Sequence, residues 1–343
     1  MKPEIAIDIN SQVPVYKQLI KSIQDLISEG KYKKGDFIPS MNEMAGELDI
    51  SKETVKKAYS ILREKGIVES SHGKGFYVTD PNKNNIKILL LFDKISTYKQ
   101  VLYSSFVTNI GDVSEITIRL HNQDIDLFEH FINENLDNYD YYIVTPHFPL
   151  TPNIRKKTVK ILKRIPNRKL ILLDNHITEL PGNFGSAYQD FEHDIEDGLN
   201  RNIDILKRFK MLKVYSTKGS MYASLIEKGI ERSCLKNNMP FEIHKVIDTN
   251  KIEKQEVFLI LNSQLDNELI QLVKAAKQKD FVIGKDIGII SYNESPINEI
   301  ILDGLSVFST DFKQMGKLAA KMIKEKSVKK VKCDFSLIRR NTF

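Results

Sequence analysis

Beyond residue 85 the chain carries six short β-like runs, Ile86–Phe92, Tyr141–Thr145, Lys169–Leu173, Leu212–Ser216, Val257–Leu261 and Ile287–Tyr292. Between them lie stretches whose apolar residues recur at helical spacing, such as Leu127, Phe131 and Leu136, then Leu265, Leu269, Leu272, Val273 and Ala276. Short continuous apolar strands read as buried on both faces, and intervening helices carry the chain back so that successive strands run parallel. The pattern predicts an α/β fold with parallel sheets. No sequence repeat is found, although two similar lobes would fit.

Upstream of these runs stands a polar break, Asp80-Pro81-Asn82-Lys83-Asn84-Asn85, which reads as a linker. With 343 residues there is chain enough for two or three cores. The expected division is an N-terminal domain over 1–80, a linker over 81–85 and a larger domain over 86–343.

The N-terminal segment has a different grammar. Val15, Leu19, Ile23 and Leu26, with Ile20 and Ile27 beside them, give an amphipathic helix across 14–30 that stops at Gly30. Ser40 and Glu43 have the spacing of a capping box, opening a short helix whose buried face is Met44 and Leu48. After Asp49-Ile50, Ser51 caps a third helix with Val55, Ala58, Tyr59 and Leu62 on one side, leaving Lys52, Glu53, Lys56 and Lys57 on the other. Such a pair of helices forms a helix-turn-helix, in which the second offers its N-terminal residues to base edges in the major groove. Ser51, Lys52, Glu53, Thr54, Lys56 and Lys57 are the candidates for that surface. A hairpin follows, from Ile67-Val68-Glu69 through Ser71-His72-Gly73-Lys74-Gly75 to Phe76-Tyr77-Val78, and reads as a wing. At its tip His72, Gly73 and Lys74 are placed to meet a phosphate backbone or the minor groove.

Charge supports this only locally. The net charge is +6, yet residues 1–80 hold twelve Lys and Arg against twelve Asp and Glu. Residues 51–77 hold six basic against three acidic residues, and much of the remaining excess lies in the C-terminal tail, which reads as a solvated face. No stretch approaches the roughly 20 apolar residues of a membrane span, and the N-terminus lacks the apolar core of a leader, so a cytoplasmic protein with no membrane partner is expected. Two distant cysteines, Cys234 and Cys333, make neither a disulfide framework nor a zinc site, and no metal or cofactor is expected. No Walker-type loop or nucleophile elbow points to an enzyme.

Residues 14–78 resemble the winged-helix domain of the GntR family of regulators, through Pro14-Val15-Tyr16-Lys17-Gln18, Gly35-Asp36-Phe37-Ile38-Pro39-Ser40, Ser51-Lys52-Glu53-Thr54-Val55-Lys56-Lys57-Ala58, Leu62-Arg63-Glu64-Lys65-Gly66 and Gly73-Lys74-Gly75-Phe76. Asn42 departs from the family, which often has a DNA-contacting arginine there, so Asn42 joins the candidate interface with an altered base preference. The remainder resembles the two-lobed, periplasmic-binding-protein-like domain of the LacI family and of some arabinose-responsive GntR-type repressors. Its landmarks are Asp266, Gly284 to Asn293, Ser309 to Ala319, and Tyr188-Gln189-Asp190 as a crossover between lobes.

In open α/β sheets ligands sit off the carboxyl ends of the strands. That rule selects Asp93, Tyr98, His147, Asp174, Asn175, Asp190, Asp266, Asn293 and Glu294 as candidate ligand residues, a set rich in carboxylates and amides that suits a polyol. The resemblance adds weight to Asp190, Asp266 and Asn293. It also shows a departure: Ile226 stands where relatives commonly have an arginine before the Gly229-Ile230 pair. The expectation is a homodimeric regulator, acting as a repressor on double-stranded operator DNA of a carbohydrate operon and controlled by a monosaccharide such as arabinose or fucose. The alternatives are a C-terminal domain that is an enzyme, or one that senses a non-sugar metabolite.

Overall fold

The computed structural model describes residues 5–9, 11–71, 75–79, 86–111, 114–216, 221–261 and 267–343. The wing-tip candidates His72, Gly73 and Lys74, the linker 81–85 and the ligand candidate Asp266 lie outside them. The chain divides into two compact units, Met1–Ile86 and Lys87–Phe343.

In the first unit α1 (Val15–Ser28) begins after Pro14 and buries Leu19, Ile20, Ile23 and Leu26. A two-residue strand β1 (Phe37–Ile38) leads to α2 (Met41–Leu48), where Ser40 and Glu43 form both arms of the capping box. Asp49 then takes a left-handed turn (φ 51°), a conformation Asp tolerates better than most residues. Ser51 caps α3 (Lys52–Glu64), its hydroxyl accepting from the Thr54 amide at 3.1 Å. The wing strands β2 (Val68–Ser71) and β3 (Gly75–Val78) pair antiparallel, with Val68 opposite Val78. β1 adds a third strand to them, pairing with β3. Leu19, Ile23, Met44, Val55, Tyr59, Leu62, Val68 and Val78 close one core, and the Tyr59 hydroxyl donates to the Pro39 carbonyl at 2.7 Å.

The second unit follows the strand–helix alternation. Its elements are β4 (Ile86–Phe92), α4 (Thr97–Ile110), β5 (Ser114–Leu120), α5 (Ile125–Asn135), β6 (Tyr141–Val144), α6 (Pro152–Leu162), β7 (Leu170–Asp174), β8 (Gly185–Tyr188), α7 (Phe191–Arg201), α8 (Ile203–Leu206), β9 (Met211–Tyr215), α9 (Ala223–Lys236), β10 (Phe241–His244), β11 (Glu256–Ile260), α10 (Asn267–Gln278), β12 (Ile287–Tyr292), β13 (Ser306–Thr310), α11 (Phe312–Lys324), β14 (Lys330–Lys332) and β15 (Phe335–Ile338). Two six-stranded sheets result, in the orders β14-β8-β7-β6-β4-β5 and β10-β9-β11-β12-β13-β15. Pairing is parallel throughout β14-β8-β7-β6-β4 and β10-β9-β11-β12-β13, while β15 runs antiparallel to β13.

The chain passes between the lobes three times. Gln189 and Asp190 lead from β8 of the first sheet into α7 of the second lobe, which packs on α9 and β15. Asp311 leads back from β13 into α11, which lies along α4 of the first lobe, and Cys333 and Asp334 return the chain from β14 to β15. These segments are knitted together: Cys333 N–H donates to the Tyr188 carbonyl (2.7 Å), Asp311 N–H to the Asp334 carbonyl (2.8 Å), and the Gln314 side chain bonds Asp334 twice (2.8 and 2.9 Å).

Candidate nucleic-acid interface and ligand cleft

In the first unit the described candidates for a DNA surface lie on α2 and α3. Asn42, Ser51, Lys52, Glu53, Lys56 and Lys57 are exposed and Thr54 is half-buried. They sit at the starts of α2 and α3, where unpaired backbone N–H groups favour negative charge. Not every cation there is equally free: Lys56 Nζ lies 3.5 Å from Glu53, and Lys57 Nζ rests 4.1 Å from the centre of the Tyr16 ring on α1.

In the second unit the strand-end rule brings Asp93, Tyr98, His147 and Asp174 into one buried cluster. Lys99, which the sequence reading passed over, completes it: this fully buried lysine on the first turn of α4 pairs with Asp93. Thr145 Oγ1 also donates to Asp93 (3.3 Å). His147 bridges the two carboxylates, with Nδ1 3.8 Å from Asp93 and Nε2 3.1 Å from Asp174, the latter close in charge terms but off the line of a good hydrogen bond. Tyr98 O–H donates to Asp174 at 3.3 Å, and the Gln189 amide donates to its other oxygen. Gln189 Oε1 in turn accepts from Thr310 at 3.0 Å, so one crossover is tied to both a cleft carboxylate and the end of β13.

Burial dominates the electrostatics. It pulls the Lys99 ammonium down to about 8 against the opposing pull of Asp174, and it pushes the Tyr98 phenol well up. Burial would also raise Asp174, but His147, Lys99 and Gln189 outweigh it and hold this carboxyl at about 2. His147 is itself pushed down by burial, with the Asp174 charge the main pull in the other direction.

Beside the cluster a cavity of about 320 Å³ opens between the segments after β6 and β7, the first crossover and the start of α9. Asn175, Asp190, Phe191 and Tyr222 line it, the last two stacked face to face at 4.1 Å, and Asn175 donates to the Tyr222 hydroxyl at 3.0 Å. Tyr222 stands one turn before Ile226, which is buried in the core of the second lobe and presents no polar group. Asp190 caps α7 and pairs with His193 Nδ1 at 2.8 Å. Glu294 does not face a ligand freely, because Arg340 holds both its oxygens (2.9 and 3.1 Å). Asn293 adopts φ 68° and its Oδ1 is buried without a partner. Among the described residues no group of three or more His, Cys, Asp or Glu is arranged to hold a metal, and no helix is long and apolar enough to cross a membrane.

The sequence profile of the family described as bacterial regulatory proteins, gntR family, matches residues 15–78. The HTH-type transcriptional repressor YtrA of Bacillus subtilis is 36% identical over 98 residues, which cover 29% of this chain and 72% of that protein. The mannosyl-D-glycerate transport/metabolism system repressor MngR of Escherichia coli is 33% identical over 96 residues, covering 26% of this chain and 40% of MngR. Among solved structures, a dimeric Lac repressor with an 11-residue C-terminal deletion superposes with TM-score 0.59 at 14% identity, over 75% of this chain and 98% of that one. A periplasmic binding protein/LacI transcriptional regulator from Alkaliphilus metalliredigens, complexed with D-xylulofuranose, gives TM-score 0.55 at 15% identity over 75% and 99%. At such identities the superpositions establish the fold: the second unit has the two-lobed LacI/periplasmic-binding-protein architecture.

Proposed function

Because the chain belongs to the GntR family of bacterial regulatory proteins, we propose that it is a repressor of a carbohydrate-utilisation operon, binding operator DNA as a homodimer and controlled by a sugar in the cleft of its second unit. The observation that carries this reading is the crossover residue Gln189, which bonds a cleft carboxylate on one side and Thr310 on the other. A ligand that closes the lobes changes the geometry at such a residue, and linkage requires that DNA alter ligand affinity by the same factor that ligand alters DNA affinity.

On the DNA side Asn42, Ser51, Lys52, Glu53, Thr54, Lys56 and Lys57 meet the major groove, with His72, Gly73 and Lys74 of the wing tip at the flanking backbone. Two half-sites about one helical turn apart suit a two-fold dimer. On the ligand side Asn175 and Asp190 contact the effector directly, while Asp93, Tyr98, His147 and Asp174 form a buried cluster beside its site. Support comes from the two repressors among the relatives and from the sugar complex among the structural neighbours. In this reading the second unit is a sensor and not a catalyst, and the protein works in the cytoplasm.

The test is a gel-shift titration of the chain's own upstream DNA, with and without monosaccharides beginning with arabinose and fucose. A specific complex whose affinity changes with one sugar is expected. Absence of any specific complex under all conditions overturns the regulator reading. A complex that is indifferent to every sugar, free or substituted, overturns the sugar-sensing part alone.

A further inference from the structure

The second lobe holds another cavity, of about 630 Å³, at the far edge of its sheet from the cleft. Its walls are the turns that enter β9, β11 and β12 and the segment that leaves β15. Asn293 and Glu294 leave the opposite end of β12, a six-residue strand, so the two regions stand about 20 Å apart. Four cationic side chains, Arg208, Lys285, Arg339 and Arg340, line the cavity, and no acidic side chain does.

Most of that charge is unmatched. Arg340 is held by Glu294. Arg339 gives its Nε to the Phe343 main-chain oxygen at 3.0 Å, which leaves its two terminal nitrogens. Arg208 and Lys285 are exposed, and neither side chain has a hydrogen bond or ion pair among the described residues. The neighbouring carboxylates are already taken: Asp286 by Lys254 (3.0 Å) and the Val282 N–H (2.8 Å), and Glu253 by Lys210 (2.6 Å). Cations are favoured where helices end, which accounts for Arg208 just past α8. It does not account for Lys285, well beyond the end of α10 at Gln278, or for Arg339, which follows a strand. Like charges that converge on one concavity raise its potential and draw in an anion.

The main chain fixes the frame that holds them. Lys210 N–H donates to the Gln255 carbonyl (2.7 Å) and Gln255 N–H to the Asp286 carbonyl (2.6 Å), which joins the three entering segments side by side. Gly284, at φ 86°, lies so close to the departing segment that a Cβ on it would meet the Asn341 carbonyl oxygen at 2.1 Å. Thr342 exchanges two bonds of 2.8 Å with Ile289 of β12. Gln255 adopts φ 62°, an uncommon conformation for a residue with a side chain, and its amide joins the wall. Cations carried on segments pinned in this way bind an anion without first having to order loops.

We propose that this cavity is a second ligand site, separate from the cleft, for a small organic molecule carrying two or more phosphate groups. Arg208, Lys285 and Arg339 call for about three negative charges, and a phosphate monoester carries about 1.5–2 at neutral pH, so two phosphates match them. The guanidinium fork suits phosphate oxygens, and the volume lies within the range of pockets for small organic ligands, about 300–1,000 Å³.

Isothermal titration of the full chain tests this, with inorganic phosphate, pyrophosphate, a hexose bisphosphate and ATP as probes and the free hexose and adenosine as uncharged counterparts. At least one polyphosphorylated probe should bind once per chain, at least about tenfold tighter than inorganic phosphate and than its uncharged counterpart, and more weakly as salt rises. Arg208→Gln and Lys285→Gln, both at exposed positions, should each weaken that binding by about fivefold, and Arg208→Lys by less. Lys207→Gln, next in sequence but off the wall, should leave it within about twofold. Three results each overturn the inference: no polyphosphorylated probe surpasses inorganic phosphate, an uncharged counterpart binds as tightly, or the double variant Arg208→Gln/Lys285→Gln keeps the affinity. The last would put the anion on the basic face of the first unit instead. None of these outcomes involves sugars or operator DNA, so the regulator reading stands or falls separately.

Discussion

The contact between α4 and α11 hinges on the absence of one side chain. A Cβ built at Gly316 would stand 2.4 Å from the Leu102 carbonyl oxygen, 2.8 Å from the Phe106 nitrogen and 3.0 Å from the Ser105 Cβ. Ordinary contact begins near 3.4 Å, so Gly316→Ala requires the helices to separate by about 1 Å, and the two closest obstructing atoms are backbone that no rotamer can move. Separation would stretch the bond from Ser105 Oγ to the Lys313 carbonyl (2.7 Å) and the Tyr98–Phe312 ring contact (4.4 Å). Overpacking of this kind costs about 1–3 kcal/mol. Alanine's better helix propensity returns roughly 1 kcal/mol, leaving a net loss of up to about 2 kcal/mol. In a domain of this size that lowers Tm by up to about 8 °C. Differential scanning calorimetry of the full chain measures it. Gly46→Ala in α2 is the control: nothing lies within 4 Å of that site, so the same substitution should stabilise the first unit by about 0.5–1 kcal/mol. If Gly316→Ala raises the second unit's Tm, as Gly46→Ala is expected to raise that of the first, the close approach of α4 and α11 is not the constraint described.

Three further outcomes follow from the same contacts. Lys99→Met strips Asp93 of its buried cation and should destabilise the second unit by about 3–5 kcal/mol in urea unfolding, with Asp93→Leu added to it recovering most of the loss; a cost below about 1 kcal/mol would mean that water reaches Asp93. His121, fully buried with Nε2 3.1 Å from the Thr145 carbonyl, is pushed down by burial to about 4, so the folded chain resists a proton that the unfolded chain accepts near 6.5. Its contribution to stability is present above pH 6.5 and drains away as pH falls toward 4, with buried His147 acting in the same direction; urea midpoints between pH 7 and 5 should decline, and less steeply in His121→Phe, whereas an identical slope in the variant refutes this. Lys56→Ala should reduce the slope of log K for operator DNA against log salt by about 0.9, the signature of one lost phosphate contact, and an unaltered slope removes Lys56 from the interface.

Much of this architecture was legible because its strands are long, apolar and central. Ile86–Phe92 and Ile287–Tyr292 are strands over the residues their composition indicates, and the capping box at Ser40 and the cap at Ser51 fix the helix-turn-helix. Most elements that escaped are short or peripheral, whereas β13, five buried residues between β12 and β15, escaped because Ser306, Ser309 and Thr310 interrupt its apolar run. β1 has two residues, β14 has three, and β5, Ser-Glu-Ile-Thr-Ile-Arg-Leu, alternates polar and apolar residues at a sheet edge where Glu115 and Arg119 are exposed and the rest half-buried. The cleft shows the same division. Asp93, His147 and Asp174 were found because strand ends converge in this fold class. Lys99 was not, because a lysine on a helix is ordinarily solvated, and only the folding of α4 over the sheet encloses it with Asp93. Tyr222 and Phe191 have no local signature, since their stacking joins residues thirty-one positions apart, one preceding α9 and the other opening α7. That Glu294 is occupied by Arg340, forty-six residues downstream, is equally a property of three dimensions.

The triple passage between lobes means that neither half exists as a contiguous piece of gene. Stopping translation after Tyr188 would give the first sheet without β14, which pairs with β8, and without α11, which shields α4. Starting at Phe191 and ending at Thr310 would leave β13 with the exposed margin that β15 otherwise covers. A recombination event that swapped one lobe for that of another protein would have to splice in several places at once. Inheritance of this two-lobed unit is therefore expected to proceed in whole blocks spanning both sheets.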